Sequence, residues 1–388
     1  MTPAARIAAA VEVLDKVLVG AAAEQALIGW ARGARYAGSG DRAAVRDLVF
    51  DALRRLRSAA ARGGGLSGRG VMIGLLRERS EDVGSYFSGQ GYAPARLSDA
   101  EQASGRMPEG PEAMDLPDWI WSLLCESEGA DKAAQLACQL RERAPVMLRV
   151  NLRKGTRKDA IRALAEDEIA SEEDPISPTA IKTLSGARRI RNATAYTSGL
   201  VELQDGASQA VVDQLHLTDG MKVLDFCAGG GGKTLAMAAR ADIDLFAHDS
   251  DPGRMRDLPQ RAARAGVSVR QVTLDDVRAE APFDLVLCDV PCSGSGAWRR
   301  SPDGKWQLDP KALTRLQSLQ DTILDQAAEF TAEAGALVYA TCSILAPEND
   351  ARIDAFLARH DEWRSQFRRQ WWPGTSGDGF FTAHAVRR

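Results

Sequence analysis

The C-terminal half of this sequence reads as a doubly wound α/β domain, preceded by a small α+β domain and an all-helical N-terminal domain. Three observations predict this. From about residue 199, short β-rich apolar runs alternate with helical stretches, at Lys222–Phe226, Asp244–Ala247, Ser268–Thr273, Leu285–Cys288 and Ala336–Ala340. That alternation marks parallel strands joined by crossover helices. Before about residue 90, Ala, Leu and Arg dominate, and apolar residues recur at helical spacing (Val11, Leu14, Val17, Leu18; Val45, Leu48, Val49, Leu53, Leu56). Between these regions Met147–Leu152 alternates like a strand and Lys158–Ala165 reads as a helix. At 388 residues two or three domains are expected. The expected division is a helical domain over 1–92, a Gly-, Ser- and Pro-rich linker over 93–114, an α+β domain over 115–198 and the α/β domain over 199–388.

With 45% hydrophobic and 26% charged residues the chain can bury a core, which excludes general disorder. No run approaches the ~18 apolar residues of a membrane span. Glu12, Asp15 and Lys16 interrupt any signal-peptide core, so a cytoplasmic, membrane-free monomer is the expectation. The six cysteines are widely spaced with no CxxC pair, and there are four histidines. Free thiols and no metal site are therefore expected. The net charge of −4 does not announce a nucleic-acid partner, but local patches set the binding field. Residues 1–80 carry 13 Lys and Arg against 7 acids, and Arg54, Arg55 and Arg57 read as phosphate contacts or as a solvated helix face. Arg141–Lys158 holds seven basic residues against one Glu and is the best basic patch of the chain.

In doubly wound sheets ligands sit at the carboxyl ends of the strands, near the point where strand order reverses. The first strand of the α/β half ends at Asp225-Phe226. The loop Cys227-Ala228-Gly229-Gly230-Gly231-Gly232 follows, and Lys233-Thr234 opens a helix. Four glycines let the backbone approach a ligand closely. The spacing is not GxxxxGK[ST], which disfavours a phosphate cradle. Asp249 closes the second strand, where an acid can accept from ribose hydroxyls, and Asp275-Asp276 close the third, where one can meet an adenine edge. This series fits a nicotinamide dinucleotide or S-adenosylmethionine. Each acid taken singly also fits a helix N-cap.

The fourth strand runs into Asp289-Val290-Pro291-Cys292-Ser293-Gly294-Ser295-Gly296 and the fifth into Thr341-Cys342-Ser343. Both Cys292 and Cys342 thus fall at carboxyl ends, in polar turns where a thiolate can be held, whereas Cys227 and Cys288 read as inert small hydrophobes.

The first of these motifs, continued by Arg299-Arg300-Ser301-Pro302-Asp303-Gly304-Lys305-Trp306, closely resembles the NOP/Sun family of RNA 5-methylcytosine methyltransferases. So does Tyr339-Ala340-Thr341-Cys342-Ser343-Ile344 with Glu348-Asn349. Leu116-Pro117-Asp118-Trp119, Leu148-Arg149-Val150-Asn151, Gln204-Asp205 with Ser208-Gln209, and Asp378-Gly379-Phe380-Phe381 match as well. The resemblance spans roughly residues 115–388, and the helical N-terminus is similar to the NusB-like domain of the bacterial Sun/RsmB type.

The resemblance implies S-adenosylmethionine as cofactor and RNA, ribosomal RNA above all, as partner. It implies that Cys227, Ala228, Gly229, Gly230, Gly231, Gly232 and Lys233 cradle the methionine part. Asp249 would then hold the ribose, Asp276 (or Asp275) the adenine, with Arg254 at a further cofactor position and Asp289 facing both cofactor and base. It also implies a two-cysteine mechanism. Cys342 adds to carbon 6 of cytosine, making carbon 5 nucleophilic; Cys292 assists release; Asp289 stabilises the adduct. Arg299, Arg300, Lys305 and the patch Arg141–Lys158 become candidate RNA contacts. One departure is Gly230, where the family usually has Pro. Two other readings stand beside this one. A non-catalytic RNA-binding assembly factor would need neither cysteine, and in a dinucleotide-dependent oxidoreductase the two cysteine motifs would have no role.

Overall fold

The computed structural model describes residues 1–388. The chain forms two compact units, Met1–Arg143 with Trp298–Leu308, and Ala144–Ala297 with Asp309–Arg388. No helix is long and apolar enough to cross a membrane.

The first unit is all-helical. Its main helices are α1 (Pro3–Leu18), α2 (Ala23–Gly33), α3 (Ser39–Arg54), α4 (Leu56–Gly63) and α5 (Gly68–Glu78), followed by Asp118–Glu128 and Ala130–Arg141. The helical spacing seen in the sequence is the buried face: Val13, Leu14, Val45, Val49, Leu53, Val71 and Leu75 share one core. The stretch expected as a linker is fastened to this unit. Arg69 holds Glu101 at 2.5 Å, and Arg77 donates to the carbonyls of Arg62, Ser104 and Glu101. Residues 93–143 pack with this helical unit.

Segment Trp298–Leu308 supplies caps this unit otherwise lacks. α2 has no side-chain N-cap of its own, and Asp303 accepts from the Ala23 N–H at 3.1 Å. At the C-terminus of α3 the carbonyls of Leu53 and Arg54 accept from Trp306 Nε1 at 2.8 Å and Lys305 Nζ at 2.9 Å. The last turn of a helix leaves such carbonyls without intrahelical partners, and a cation there also meets the negative end of the helix dipole. Lys305 Nζ donates again to Asp115 O at 2.8 Å. The Asp115 carboxylate, fully buried, accepts from Ser58 N and Oγ, both at 2.8 Å, and from Arg141 at 3.1 Å.

The second unit holds two sheets. The smaller is antiparallel, order β2-β3-β1-β4, with β1 Val146–Val150, β2 Ser171–Glu173, β3 Ala180–Thr183 and β4 Val201–Leu203. The larger has seven strands in the order β10-β11-β9-β8-β5-β6-β7. They are β5 Lys222–Asp225, β6 Asp244–Ala247, β7 Arg270–Gln271, β8 Phe283–Asp289, β9 Thr331–Thr341, β10 Trp363–Trp371 and β11 Phe380–Arg387. The run β7-β6-β5-β8-β9 is parallel, and β11 and β10 extend it antiparallel. The five parallel strands are those predicted, though Ser268–Thr273 keeps only two paired residues. β10 and β11 were not predicted. The chain steps from β5 outward to β6 and β7, then returns to the other side of β5 as β8. Strand order therefore reverses between β5 and β8, which opens a crevice at their carboxyl ends.

Candidate active site

The glycine loop leaves β5 on one side of this crevice. Gly231 sits at φ +79°, and a Cβ there would lie 2.3 Å from Leu258, so only glycine fits. The loop is tied down from outside. Asp249 Oδ2 accepts from the Gly229 N–H at 2.8 Å and from Arg254 at 3.1 Å, Arg149 donates to Gly232 O at 2.7 Å, and Arg261 donates to Gly230 O.

Two adjoining cavities line the crevice. One, of about 190 Å³, is bounded by Gln204, Ser208, Asp225, Gly229, Lys233 and Asp289. The other, of about 680 Å³, is bounded by the Phe226 and His248 rings, Asp249, Thr273, Leu274 and Ile323. Cys227 and Arg254 line both. In the smaller cavity Asp225 is almost fully buried. Its Oδ2 accepts from Thr234 Oγ1 at 2.6 Å, while its Oδ1 has no partner. Burial, with the charges of Asp289 and Asp249, raises its pKa to about 7 against the Thr234 bond and Lys233. Burial and the neighbouring carboxylates push the Cys227 thiol up, and burial does the same to Cys288, so both stay protonated. Lys233 Nζ lies 2.7 Å from Asp289 Oδ2 and 4.7 Å from the centre of the Phe380 ring.

On the far side of β8 the two cysteine turns meet. β8 and β9 are parallel neighbours in register at Asp289 and Ala340, so the residues that follow emerge side by side. Cys292 Sγ and Cys342 Sγ are 3.4 Å apart. The contact with Cys342, then burial, then the charges of Cys342 and Glu348 raise the Cys292 pKa well above its ordinary value. Either sulfur can be the donor in this contact. The turns are stitched together beyond the sulfurs. Gly296 N donates to Cys342 O at 2.9 Å, Ser295 Oγ lies 2.9 Å from Ser343 Oγ, and the Ile344 N–H donates to Ser295 Oγ at 2.9 Å. Gly379 N donates to Gly296 O at 3.0 Å, and a Cβ on Gly296 would lie 2.0 Å from Gly379 O. The Asp378-Gly379-Phe380-Phe381 stretch is thus the floor on which the Cys292 turn rests, and Phe380 lies under Lys233.

The family model described as 16S rRNA methyltransferase RsmB/F matches residues 212–385. The RsmF/B-like ferredoxin-like domain model matches residues 116–190. The ribosomal RNA small subunit methyltransferases B of Yersinia pestis and Photorhabdus laumondii are 31% and 32% identical over 287 and 286 residues. Each alignment spans 70% of this chain and 66% of the relative, slightly less than two thirds of its length. The chain belongs to the RsmB/F family. Among solved structures, the protein PH0851 covers 100% of this chain and 99% of its own at a TM-score of 0.77 and 22% identity. NSun6 from Pyrococcus horikoshii covers 70% of this chain and 98% of its own at 0.61 and 17%; both likenesses concern the fold.

S-adenosylmethionine is the cofactor of the RsmB/F methyltransferases, and the crevice fits it. The orphaned Asp225 Oδ1 is a buried acceptor for an ammonium group, the glycine loop leaves room beside it, and Asp249 and the Phe226 and His248 rings line the wider, more apolar cavity. Of the residues the sequence nominated, Cys227, Ala228, Gly229, Gly230, Gly232, Lys233, Arg254 and Asp289 line the smaller cavity, and Asp249 lines the larger. Asp225, Gln204 and Ser208 line it too and were not nominated.

Several expectations are corrected. Asp276 does not reach the crevice. Its carboxylate closes a capping box with Thr273, accepting the Thr273 N–H at 2.9 Å, and Asp275 is exposed and paired with Arg278; Thr273 and Leu274 take their place at the wall. Lys305 and Arg299 are buried in the helical unit and are not surface RNA contacts. Arg300 is half-buried. Arg54, Arg55 and Arg57 are likewise spent internally, on Arg299 O, on Asp51 and on Leu116 O. The patch Arg141–Lys158 is largely structural. Arg141 binds Asp115 and Glu78, Arg153 the carbonyls of Ala238 and Ala241, Lys154 those of Ser198 and Arg264, and Arg157 binds Glu173. Arg149 within it, buried and with its pKa drawn down to about 10 by that burial, braces Gly232 instead of facing a phosphate.

Proposed function

We propose that the chain transfers a methyl group to carbon 5 of a cytosine in ribosomal RNA of the small subunit, with Cys342 as nucleophile. The observation that carries this is the 3.4 Å contact between Cys292 and Cys342 at the carboxyl ends of adjacent strands, beside the cofactor crevice. The names of the curated relatives support the ribosomal substrate, and the paired cysteines support carbon 5 of a pyrimidine. When bound, S-adenosylmethionine supplies an electrophilic methyl group.

Carbon 5 of cytosine is a poor nucleophile until a sulfur adds at carbon 6. Cys342, the cysteine of the Thr-Cys motif, is the sulfur that adds in this reading, with Cys292 in contact beside it. As its S–C6 bond forms, electron density moves to carbon 5 and to the ring-nitrogen edge. Asp289, held by Lys233, meets that edge, and a proton shared there offsets the developing charge. After methylation a base removes the carbon-5 proton and the S–C6 bond breaks. The electron pair returns to Cys342, where the Cys292 S–H donates to it and eases its departure. Reaching a base in this way requires one that is unstacked or splayed out.

The test uses wild type, Cys342→Ala and Cys292→Ala with under-methylated ribosomal RNA and labelled cofactor. Cys292→Ala is expected to accumulate a stable protein–RNA adduct that Cys342→Ala lacks. Adduct with Cys342→Ala alone would reverse the roles of the sulfurs, and absence of methyl transfer by wild type on every small-subunit RNA form would remove the proposal.

A further inference from the structure

Beneath the two cysteine turns lies Glu348, a fully buried carboxylate that the mechanism above does not use. Its Oε1 accepts from the Ser293 N–H at 2.8 Å and from Gln320 Nε2 at 3.1 Å; its Oε2 accepts from Ser343 Oγ at 2.6 Å and from Ser293 Oγ. Ser293 follows Cys292 and Ser343 follows Cys342, so one carboxylate grips both turns one residue beyond each sulfur. The anchor is itself held. Tyr339 OH donates to the Glu348 carbonyl, and Asn349 bridges Thr341 Oγ1, at 2.6 Å, and Ser343 O, at 3.0 Å. A buried carboxylate is costly unless each oxygen is paired, and here both are.

We propose that Glu348 is the positioning residue that ties the Cys292 turn to the Cys342 turn and holds the two sulfurs in working contact. The inference rests on the methyltransfer reading of the two cysteines. Two effects act together. The hydrogen bonds hold the sulfurs in contact. The negative charge disfavours a second anion at Cys292. The other groups facing Cys292 are Cys342, the Gly294 N–H and the buried Tyr339 hydroxyl. Further out, Asp321 and Arg352 pair with each other at 2.7 Å. The Cys342 contact, burial and the Cys342 charge raise Cys292 most; with Cys342 replaced by alanine, Glu348 is the carboxylate that remains among the causes.

The experiment compares Glu348→Gln with wild type, each also in a Cys342→Ala background, in the full chain. Glutamine keeps the shape and an acceptor for the Ser293 N–H but removes the charge. In the Cys342→Ala background, alkylation of Cys292 by iodoacetamide is followed across pH by peptide mass spectrometry. The midpoint is expected to fall with Glu348→Gln, each unit of fall giving about tenfold faster alkylation at pH 8. With Cys342 present, Glu348→Gln is expected to lower kcat for methyl transfer while the KM for cofactor stays put, because the crevice is untouched. Ser343→Ala removes one arm and keeps the charge. It is expected to lower kcat without moving the Cys292 midpoint, and it carries the test if Glu348→Gln does not fold. An unchanged midpoint with unchanged kcat in Glu348→Gln, or an unchanged kcat in Ser343→Ala, overturns the proposal. The alkylation readout needs no RNA, so failure of wild type to methylate RNA would count against the reaction and not against the role of Glu348 at Cys292.

Discussion

Replacing Lys305 by methionine should remove a pH dependence of stability that the native chain carries. The ammonium is 1% exposed and donates to the carbonyls of Arg54 and Asp115 at 2.9 and 2.8 Å. Burial draws its pKa from 10.5 down to about 7; the charge of Asp115 opposes this, and those of Arg141, Arg54 and Arg55 add to it. Between pH 7 and about 10.5 the unfolded chain therefore binds a proton that the folded chain has released. Stability rises with pH wherever the unfolded state binds more protons, so the cost of burying this amine is full below pH 7 and is relieved as the pH climbs. From pH 7 to pH 9 the relief amounts to about 2 kcal/mol. Methionine leaves two carbonyls without donors, a loss of ~1–3 kcal/mol each, and saves the cost of burying the charge. The variant should thus lie near wild type at pH 7 and fall about 2 kcal/mol behind it by pH 9. Urea unfolding followed by far-ultraviolet circular dichroism at pH 7, 8 and 9 measures this, and the difference between the two proteins cancels the groups they share. Parallel stability profiles across that range would show that the amine is not the buried titrating group and would refute the reasoning.

The cofactor crevice yields two more expectations. Asp225 has its pKa raised to about 7 by burial, so affinity for S-adenosylhomocysteine, whose ammonium pairs with the ionised carboxylate, should climb up to about tenfold per pH unit below 7 and level off above it. Calorimetric titration from pH 5.5 to 8 should show that rise in wild type and a flat, weaker profile in Asp225→Asn; a flat wild-type profile would count against Asp225 as the ammonium partner. Asp276→Ala should leave the same affinity unchanged, because its carboxylate caps its own helix, and a tenfold loss on titration would return it to the adenine site.

The motifs legible in the sequence were those in which residue type alone carries chemistry. The glycine loop, Asp249, Asp289 and the two cysteines all lie at carboxyl ends of strands, as alternating β and α segments require. Their positions could be read because a parallel strand places its next residues at one edge of the sheet whatever the rest of the chain does. The helical face built on Val45, Val49 and Leu53 was legible for the same local reason, a period set by the helix itself.

What the sequence could not assign was the destination of polar side chains. A run of seven basic residues looks like a phosphate surface, yet Arg149, Arg153 and Lys154 reach carbonyls 44 to 110 residues away in the chain. The motif Arg299–Trp306 adjoins the Cys292 turn in sequence, but its Asp303, Lys305 and Trp306 cap helices α2 and α3 some 250 to 280 positions earlier. Glu348 showed only as part of a matching motif until folding set it beneath two turns 50 residues apart. Backbone periodicity and the carboxyl-end rule are local and were determined by the sequence itself. Which buried carbonyl, N–H or thiol each charge must satisfy depends on segments distant in the chain, and only the tertiary structure decided it.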